Sequence, residues 1–210
     1  MTRWLRPALL PGAACVILCG TLAPTAAPAE VTRQSEAGFV AGGEIDIAGR
    51  SPAQSWAVLL QPALWWNPLH SWSGDAANLT IEARAGGCFC EALPAPHGMA
   101  GDAPHGSIEH MRVIAAMPPK LLRMSGALGP LQGEALTGTM TVELKPLAGG
   151  GTHLVWSYIV GGYSRLAMAD MAPLVDKVLT GQFARLAALA PDAAAPAPAG
   201  KSARDDAEGR

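Results

Sequence analysis

The residues with the most reactive side chains stand together in one short stretch, Cys88-Phe89-Cys90-Glu91. If this stretch is a strand, both thiols point to one face, and the side chains of Phe89 and Glu91 point to the other. The Cα atoms of Cys88 and Cys90 would then lie about 6.6 Å apart, near the upper limit for a disulfide. Three interpretations follow: two small buried hydrophobic side chains, a strained and redox-labile disulfide, or half of a metal site.

A metal site would need more ligands than the two cysteines provide. His70, Glu91 or His110 would have to supply them, and the spacing is not a recognised zinc signature. The sequence therefore predicts no complete metal site. It also contains no nucleophile elbow, zinc-protease motif, phosphate-binding loop or dinucleotide fingerprint, so we expect no cofactor.

Glu91 and His110 are the candidates for acid–base chemistry. Glu91 is expected on the same face of the sheet as Phe89. If this is the inner face, Glu91 is a carboxylate in an apolar cavity, and burial would raise its pKa. Strict alternation would place His110 on one face with Ile108, Arg112 and Ile114. A pair of Glu91 with His110 or with Arg112 could orient a polar ligand group or transfer protons. The alternative is that Arg112 and Glu109 are ordinary surface residues.

A second cluster is aromatic. Only 5% of the chain is aromatic, yet Trp56, Trp65, Trp66 and Trp72 occur within one short span. Burial of one tryptophan contributes on the order of 4–6 kcal/mol by area, so we expect few of them in water. Neighbours on one helical turn cannot face the same way. We therefore expect Trp56 and one of Trp65 and Trp66 in the core. The other, with Trp72, is expected at a cavity mouth. His70 lies in the same connection, as a ligand contact or simply solvated.

The first elements that position these residues can be identified from local signals. An apolar stretch predicts a strand over residues 39–47. Ser51, Pro52 and Gln54 form the start of a helix, with an N-cap, a proline in the first turn and a capping box. This helix is expected to break at Pro62 and to resume for one turn over residues 63–66.

The remaining pattern predicts five or six antiparallel strands and a long C-terminal helix. Gly149-Gly150-Gly151 marks a hairpin, and Leu154, Trp156, Tyr158 and Val160 share one face of its second strand. The helix shows apolar residues at helical spacing, namely Leu174, Val175, Val178, Leu179, Leu186 and Leu189, with Gln182 among them. This order predicts an α+β helix-grip: a curved antiparallel sheet covered by one long helix, with two short helices at one end and an apolar space between sheet and helix.

The two ends of the chain differ from this body, which we place at residues 36–190. Residues 1–29 combine Arg3 and Arg6 with an apolar stretch and small residues before Glu30, which predicts a cleavable signal peptide; a membrane anchor is the alternative. Residues 191–210 are rich in Ala and Pro and predict a disordered tail. Cleavage leaves 13 Lys and Arg against 17 Asp and Glu, so nucleic acid is not an expected partner.

Four segments in this order resemble the SRPBCC (START-like) superfamily, and most closely its branch named after the activator of heat-shock-protein-90 ATPase. They are S-W-A-V-L-L-Q-P-A-L-W-W, R-A-G-G-C-F-C-E, E-H-M-R-V-I-A-A-M-P-P-K-L-L-R-M-S-G and G-G-G-T-H-L-V-W-S-Y. The resemblance covers about residues 38–190. It implies a helix-grip domain with a hydrophobic cavity, in a family whose members bind lipids and small molecules, cyclise aromatic compounds or assist chaperones.

We therefore expect a periplasmic or secreted protein that binds a small hydrophobic or amphipathic molecule. The expected ligand contacts are Trp65, Trp66, His70, Trp72, Glu91, His110, Trp156 and Tyr158. One alternative is an enzyme of the cyclase or hydrolase type that uses Glu91 and His110. The other is a chaperone-like interaction module without an internal ligand, which would show an exposed apolar patch in place of an open cavity.

Overall fold

A computed structural model describes residues 30–95, 105–191 and 193. The strands are β1 (Glu30–Ser35), β2 (Gly38–Ile47), β3 (Leu79–Ile81), β4 (Cys88–Leu93), β5 (Gly106–Met117), β6 (Leu121–Ser125), β7 (Ala135–Pro146) and β8 (Thr152–Tyr163). The helices are α1 (Pro52–Leu59), α2 (Pro62–Trp65) and α3 (Met168–Ala188), with 3₁₀ turns at Pro68–His70, Ala76–Asn78 and Gly129–Gly133.

The eight strands form one antiparallel sheet in the order β1-β2-β8-β7-β6-β5-β4-β3. Burial alternates along β8, where Leu154, Trp156, Tyr158 and Val160 are all buried, so one face of the sheet carries the core. α3 covers that face and buries Leu179, Phe183 and Leu186 against it. The predicted α+β helix-grip is confirmed.

The predicted start of the first helix is also confirmed. The Ser51 side chain accepts a hydrogen bond from the Gln54 backbone N–H, and the Gln54 side chain accepts one from the Ser51 N–H at 2.9 Å. The residue before the cap has a role that the pattern did not suggest. Arg50 is fully buried, and its Nη2 donates to the Leu186 carbonyl at 2.6 Å. The guanidinium thus satisfies a free carbonyl at the C-terminal end of α3.

Some boundaries differ from the sequence prediction. The sheet begins at Glu30, because β1 pairs with β2 ahead of the expected boundary at residue 36. The long C-terminal helix begins at Met168, and Pro173 lies inside it. The predicted signal peptide lies outside the described residues, as does almost all of the predicted tail. No helix in the described ranges combines the length and apolar character needed to cross a membrane.

Candidate functional site

The site is organised by an irregularity in β5. Across the β4–β5 pair, Phe89 faces Met111 and Cys90 faces Glu109, so His110 is one extra residue on β5. Such a β-bulge interrupts the alternation of side chains and redirects the residue that it contains. His110 and Met111 are consequently both buried although they are neighbours. The expectation that His110 shares a face with Arg112 and Ile114 was wrong for this reason.

Arg112 lies on the outer face of the sheet. Its side chain is exposed, pairs with Glu109 and donates to the Gly86 carbonyl at 3.1 Å. Arg112 is therefore an ordinary surface residue, which was the alternative to a Glu91–Arg112 pair. The partner of Glu91 is His110.

Glu91 is buried beneath the pocket wall and accepts three hydrogen bonds. Its Oε2 lies 2.9 Å from His110 Nε2 and 3.0 Å from the Trp72 backbone N–H, while Oε1 accepts from the Ser73 N–H. β4 places the Glu91 side chain on the inner face with Phe89, as the alternation predicts. The carboxylate thus joins β4, the bulge of β5 and the connection after α2, which comprises residues 66–78.

The pKa of Glu91 is shifted in the direction opposite to the one expected from the sequence. Burial alone raises the pKa of Glu91, but the hydrogen bonds from Ser73, Trp72 and His110 outweigh it and hold the pKa below its ordinary value. Burial also lowers the pKa of His110, although the neighbouring carboxylate opposes that shift. The pair at neutral pH is therefore an ionised glutamate and a neutral imidazole, and the predicted rise of the Glu91 pKa was wrong.

A pocket of about 370 Å³ opens beside this pair. α3 forms one side with Met171, Leu174, Val175, Val178 and Leu179. The connection after α2 forms another with Trp66, Leu69, His70, Ser71 and Trp72. His110 and the Leu128–Pro130 turn complete the wall. Among the described residues the lining contains no Lys, Arg, Asp or Glu, so this wall is apolar apart from one serine and two histidines.

The connection that forms the second wall is held in place from several sides. The Asn67 N–H donates to Gln182 Oε1 at 2.8 Å, which ties the connection to α3. Trp66 Nε1 donates to the His70 carbonyl at 2.9 Å, and Glu91 accepts the N–H of Trp72. These bonds fix a segment that has little regular structure of its own.

A row of aromatic rings connects the core with the pocket. It runs through Trp156, Phe183, Trp65, Trp66, Phe89 and His110, with neighbouring ring centroids 5.0–6.0 Å apart. Trp66 and His110 are its two members in the pocket wall. Trp65 is buried in the core, as one of the adjacent tryptophans was expected to be, and Trp56 is buried as well.

Four of the eight expected ligand contacts do not line the pocket. Trp65 is packed in the core, and Glu91 lies behind His110. Trp156 does not line the pocket, because Phe183 of α3 stacks on it at 5.2 Å and covers it. Tyr158 is buried behind the wall. Its hydroxyl donates to the Gly126 carbonyl at 3.0 Å and accepts from the Leu128 N–H at 3.1 Å. Burial raises the pKa of Tyr158 to about 12. Tyr158 therefore supports the Leu128 segment of the wall and does not face a ligand.

Gly138 makes room for that tyrosine. A Cβ at this position would lie 2.4 Å from Tyr158 Cε2. Only glycine allows the ring to lie flat against β7 and to reach the backbone of Gly126 and Leu128.

Cys88 and Cys90 form a disulfide, with Cα atoms 5.3 Å apart. Both residues are half-buried on the face opposite to Phe89 and Glu91, and the register shift of the β4–β5 pair lies between Phe89 and Cys90. The separation is well below the 6.6 Å of a regular strand and within the ordinary range for disulfides. In the described ranges, no group of three or more His, Cys, Asp or Glu side chains could hold a metal ion.

Some lining residues had not been assigned to a site. Leu69, Leu128 and Pro130 carry no chemical signal of their own. The residues of α3 could be predicted in part, because Leu174 and Val178 form an apolar strip beside the residues that face the sheet.

Comparison with known proteins adds structural similarity at low sequence identity. No family model matches the chain. No curated protein sequence matches it either. A Rhodobacter sphaeroides protein is 20% identical over 75% of this chain and 95% of its own, with a TM-score of 0.43. A Staphylococcus aureus protein of unknown function is 15% identical over 71% and 92%, with a TM-score of 0.46. A Mycobacterium smegmatis protein is 14% identical over 78% and 96%, with a TM-score of 0.48.

Proposed function

We propose that this chain is an exported, SRPBCC-like protein that binds a small, largely apolar molecule in the pocket between α3 and the connection after α2. The observation that carries the proposal is the open apolar pocket itself. Its volume of about 370 Å³ lies within the range of small-molecule sites, and its lining has few polar groups.

The rim of the pocket supports the same proposal. Leu69, Trp72 and Leu174 are 86%, 55% and 57% exposed, although each of them lines the pocket. Covering apolar surface stabilises a complex by roughly 25 cal/mol for each Å² removed from water. A molecule seated between these three side chains would bury area that the free protein leaves in solvent.

Binding can be measured with an uncharged fluorescent probe, N-phenyl-1-naphthylamine, whose emission rises in apolar surroundings. We expect saturable binding that is lost in Val178→Trp, because the larger side chain would fill the pocket. Ile159→Trp is the matched control, since it adds the same bulk at an exposed position of β8 away from the pocket. Val178→Trp should weaken binding at least about 10-fold, and Ile159→Trp by less than about 2-fold.

If neither this probe nor a broader panel of uncharged aromatic and aliphatic molecules binds, the proposal is wrong. Equal binding by the two tryptophan variants would place the probe elsewhere on the surface. Native mass spectrometry of the protein from its own cells would then look for a co-purified molecule that leaves on denaturation.

Export is the second part of the proposal. It is supported by the signal-like residues 1–29 and by the position of β1, since cleavage before Glu30 would leave every strand that the structure describes in the mature chain. The mass of the purified protein tests this directly. A chain that starts at Glu30 supports export, and a chain that retains residues 1–29 contradicts cleavage there.

Acid–base catalysis is the second candidate function, because the Glu91–His110 pair lies at the pocket wall. Hydrolysis of uncharged aryl esters is a simple test. A rate that falls at least about 100-fold in His110→Gln would support general-base catalysis. Equal rates in the two proteins would exclude the pair from such a reaction.

A further inference from the structure

The bulge of β5 brings one imidazole, that of His110, into a wall whose other polar side-chain groups belong to the connection after α2. His110 is one residue out of register, and this change alone turns its side chain inward beside the pocket. Bulges are concentrated next to functional sites, where they redirect one side chain at the expense of regular pairing. A histidine buried in this way needs a reason beyond packing, because an apolar residue would fill the same space without a polar group to satisfy.

The carboxylate of Glu91 determines which nitrogen of His110 carries the proton. An ionised carboxylate can only accept hydrogen bonds, so the His110 Nε2 at 2.9 Å must donate. The backbone N–H groups of Trp72 and Ser73 already stabilise the negative charge of Glu91. The imidazole therefore does not have to be charged to satisfy Glu91, and a neutral ring protonated at Nε2 has a bare Nδ1.

Nδ1 of His110 has no hydrogen-bond partner among the residues that the structure describes. The ring lines the pocket, and its other nitrogen is occupied by Glu91. Nδ1 is not one of the buried polar atoms that lack a partner, so water can reach it in the free protein. A bound molecule that displaces this water must bring an N–H or O–H group, because otherwise it covers Nδ1 and leaves the acceptor unpaired.

The charge of the surroundings narrows the class of ligand further. The part of the pocket wall built from residues 30–95 and 105–191 contains no Lys or Arg that could pair with an anion, and the charge of Glu91 lies directly behind His110. An anionic ligand would enter a low-dielectric site with a like charge nearby and no counterion. A neutral hydroxyl or phenol avoids this penalty and supplies the donor that Nδ1 lacks.

We infer that the Glu91–His110 pair is a polar subsite that selects an uncharged, largely apolar ligand carrying a hydroxyl group, with His110 Nδ1 as the acceptor. This inference rests on the proposed function, since it names the class of molecule that the same pocket takes. Glu91 acts as a positioning residue that holds the tautomer and orientation of His110.

Three naphthalene probes of similar size test the inference. 2-Naphthol carries a donor, 2-methoxynaphthalene carries only an acceptor, and 2-naphthoate carries a negative charge. We expect 2-naphthol to bind the full-length mature protein at least about 10-fold more tightly than 2-methoxynaphthalene, because the methoxy compound leaves His110 Nδ1 unpaired. 2-Naphthoate should bind more weakly than 2-naphthol.

The matched variants are His110→Phe and His153→Phe. Phenylalanine keeps an aromatic ring in the wall but has no acceptor, so the preference for 2-naphthol should fall to about 2-fold or less. 2-Methoxynaphthalene should bind His110→Phe at least as well as the original protein. His153 also pairs with a carboxylate, but it lies on an exposed part of β8, and His153→Phe should keep the full preference.

The possible results separate this inference from the proposed function. Equal binding of 2-naphthol and 2-methoxynaphthalene by the original protein overturns the polar subsite and leaves an apolar pocket. A preference that survives in His110→Phe, or tighter binding of 2-naphthoate, also overturns it. If no naphthalene binds, the hydroxyl subsite is overturned, and binding of the broader panel of uncharged molecules decides the proposed function separately.

A spectroscopic measurement keeps the inference testable if His110→Phe does not fold. The ¹⁵N shifts of the His110 ring should show a proton on Nε2 and none on Nδ1 in the free protein. The Nδ1 shift should move on adding 2-naphthol and stay in place with 2-methoxynaphthalene. A proton on Nδ1 in the free protein would overturn the assignment.

Discussion

Two histidines in the described part of the chain, His110 and His153, lie against carboxylates, and the shortest contact of each has nearly the same length. His153 has a second carboxylate, that of Glu44, at 3.7 Å. Glu91 and His110 are 2.9 Å apart, and Asp46 and His153 are 2.7 Å apart. The side chains of the first pair are 0% and 3% exposed, and those of the second are 51% and 30% exposed. The first is surrounded by protein groups, whereas the second lies largely in water. Burial, and not distance, therefore distinguishes what the two pairs can do.

The two pairs also arise in different ways. Asp46 and His153 are directly opposite each other across β2 and β8, as regular antiparallel pairing requires. His110 reaches Glu91 only because β5 contains an extra residue at that point. The exposed pair is a product of regular sheet geometry, and the buried pair is a product of its interruption.

The largest expected effect comes from removing the buried carboxylate. Glu91→Ala leaves the N–H groups of Trp72 and Ser73 and the ring of His110 without their acceptor. We expect the free energy of unfolding to fall by about 3 kcal/mol. Asp46→Ala removes a carboxylate that is exposed, and the loss should be below about 1 kcal/mol. Urea unfolding of both variants measures the difference, and losses of similar size would contradict the comparison.

Replacing the two histidines should also destabilise the protein more at the buried pair than at the exposed pair, but with a smaller difference in the free energy of unfolding. His110→Phe retains the ring but removes one donor from a buried carboxylate that still has two others, and we expect a loss of about 1–2 kcal/mol. His153→Phe should change the free energy of unfolding by less than about 0.5 kcal/mol. Thermal or urea unfolding can rank them, and a greater loss in His153→Phe would reverse the comparison.

The buried pair should also make stability depend on pH. Burial lowers the pKa of His110. Below about pH 6.5 the unfolded chain therefore binds a proton at this histidine that the folded chain does not bind, which favours unfolding. The hydrogen bonds that lower the pKa of Glu91 stabilise the fold above its ordinary pKa and lose this effect as the pH falls further. The free energy of unfolding should therefore decrease on acidification in two stages.

Unfolding of His110→Phe over the same pH range provides the control. The decrease that begins just below about pH 6.5 should become shallower, because the His110 ring no longer titrates. The later decrease from Glu91 should remain. An unchanged profile would show that His110 is not the source of the first stage.

The smallest expected effect is the response to salt. A double-mutant cycle on Asp46 and His153 should give a coupling below about 1 kcal/mol that falls by about half in 1 M NaCl, where the Debye length is about 3 Å. The same cycle on Glu91 and His110 should change by less than about 0.3 kcal/mol, because solvent ions do not reach the pair. Equal salt responses would show that the inner pair is accessible to solvent.

Features that depend on a few neighbouring residues could be predicted from the sequence. The capping box at Ser51 and Gln54 is a local bond pattern, and the structure contains it as expected. The inward direction of Phe89 and Glu91 follows from the alternation of one strand, and it is confirmed as well. The order of strands followed by one long amphipathic helix was sufficient for the helix-grip architecture.

Features that depend on two elements meeting could not be predicted in this way. A bulge exists only relative to a partner strand, so the direction of His110 is invisible in the sequence of β5 alone. Trp156 and Tyr158 have the inward pattern of a cavity wall, but the position of α3 and of the 126–128 segment made them core residues.

Backbone periodicity and local hydrogen bonds belong to short stretches of chain, so the residues alone were enough to predict most of the elements, their order and the inward face of each regular strand. Packing in three dimensions determines which inward residues line the pocket, which acid contacts which base, and that β1 adds a strand beside β2. Those contacts depend on register and on where one helix crosses the sheet. Both are set by packing between residues that lie far apart in the chain.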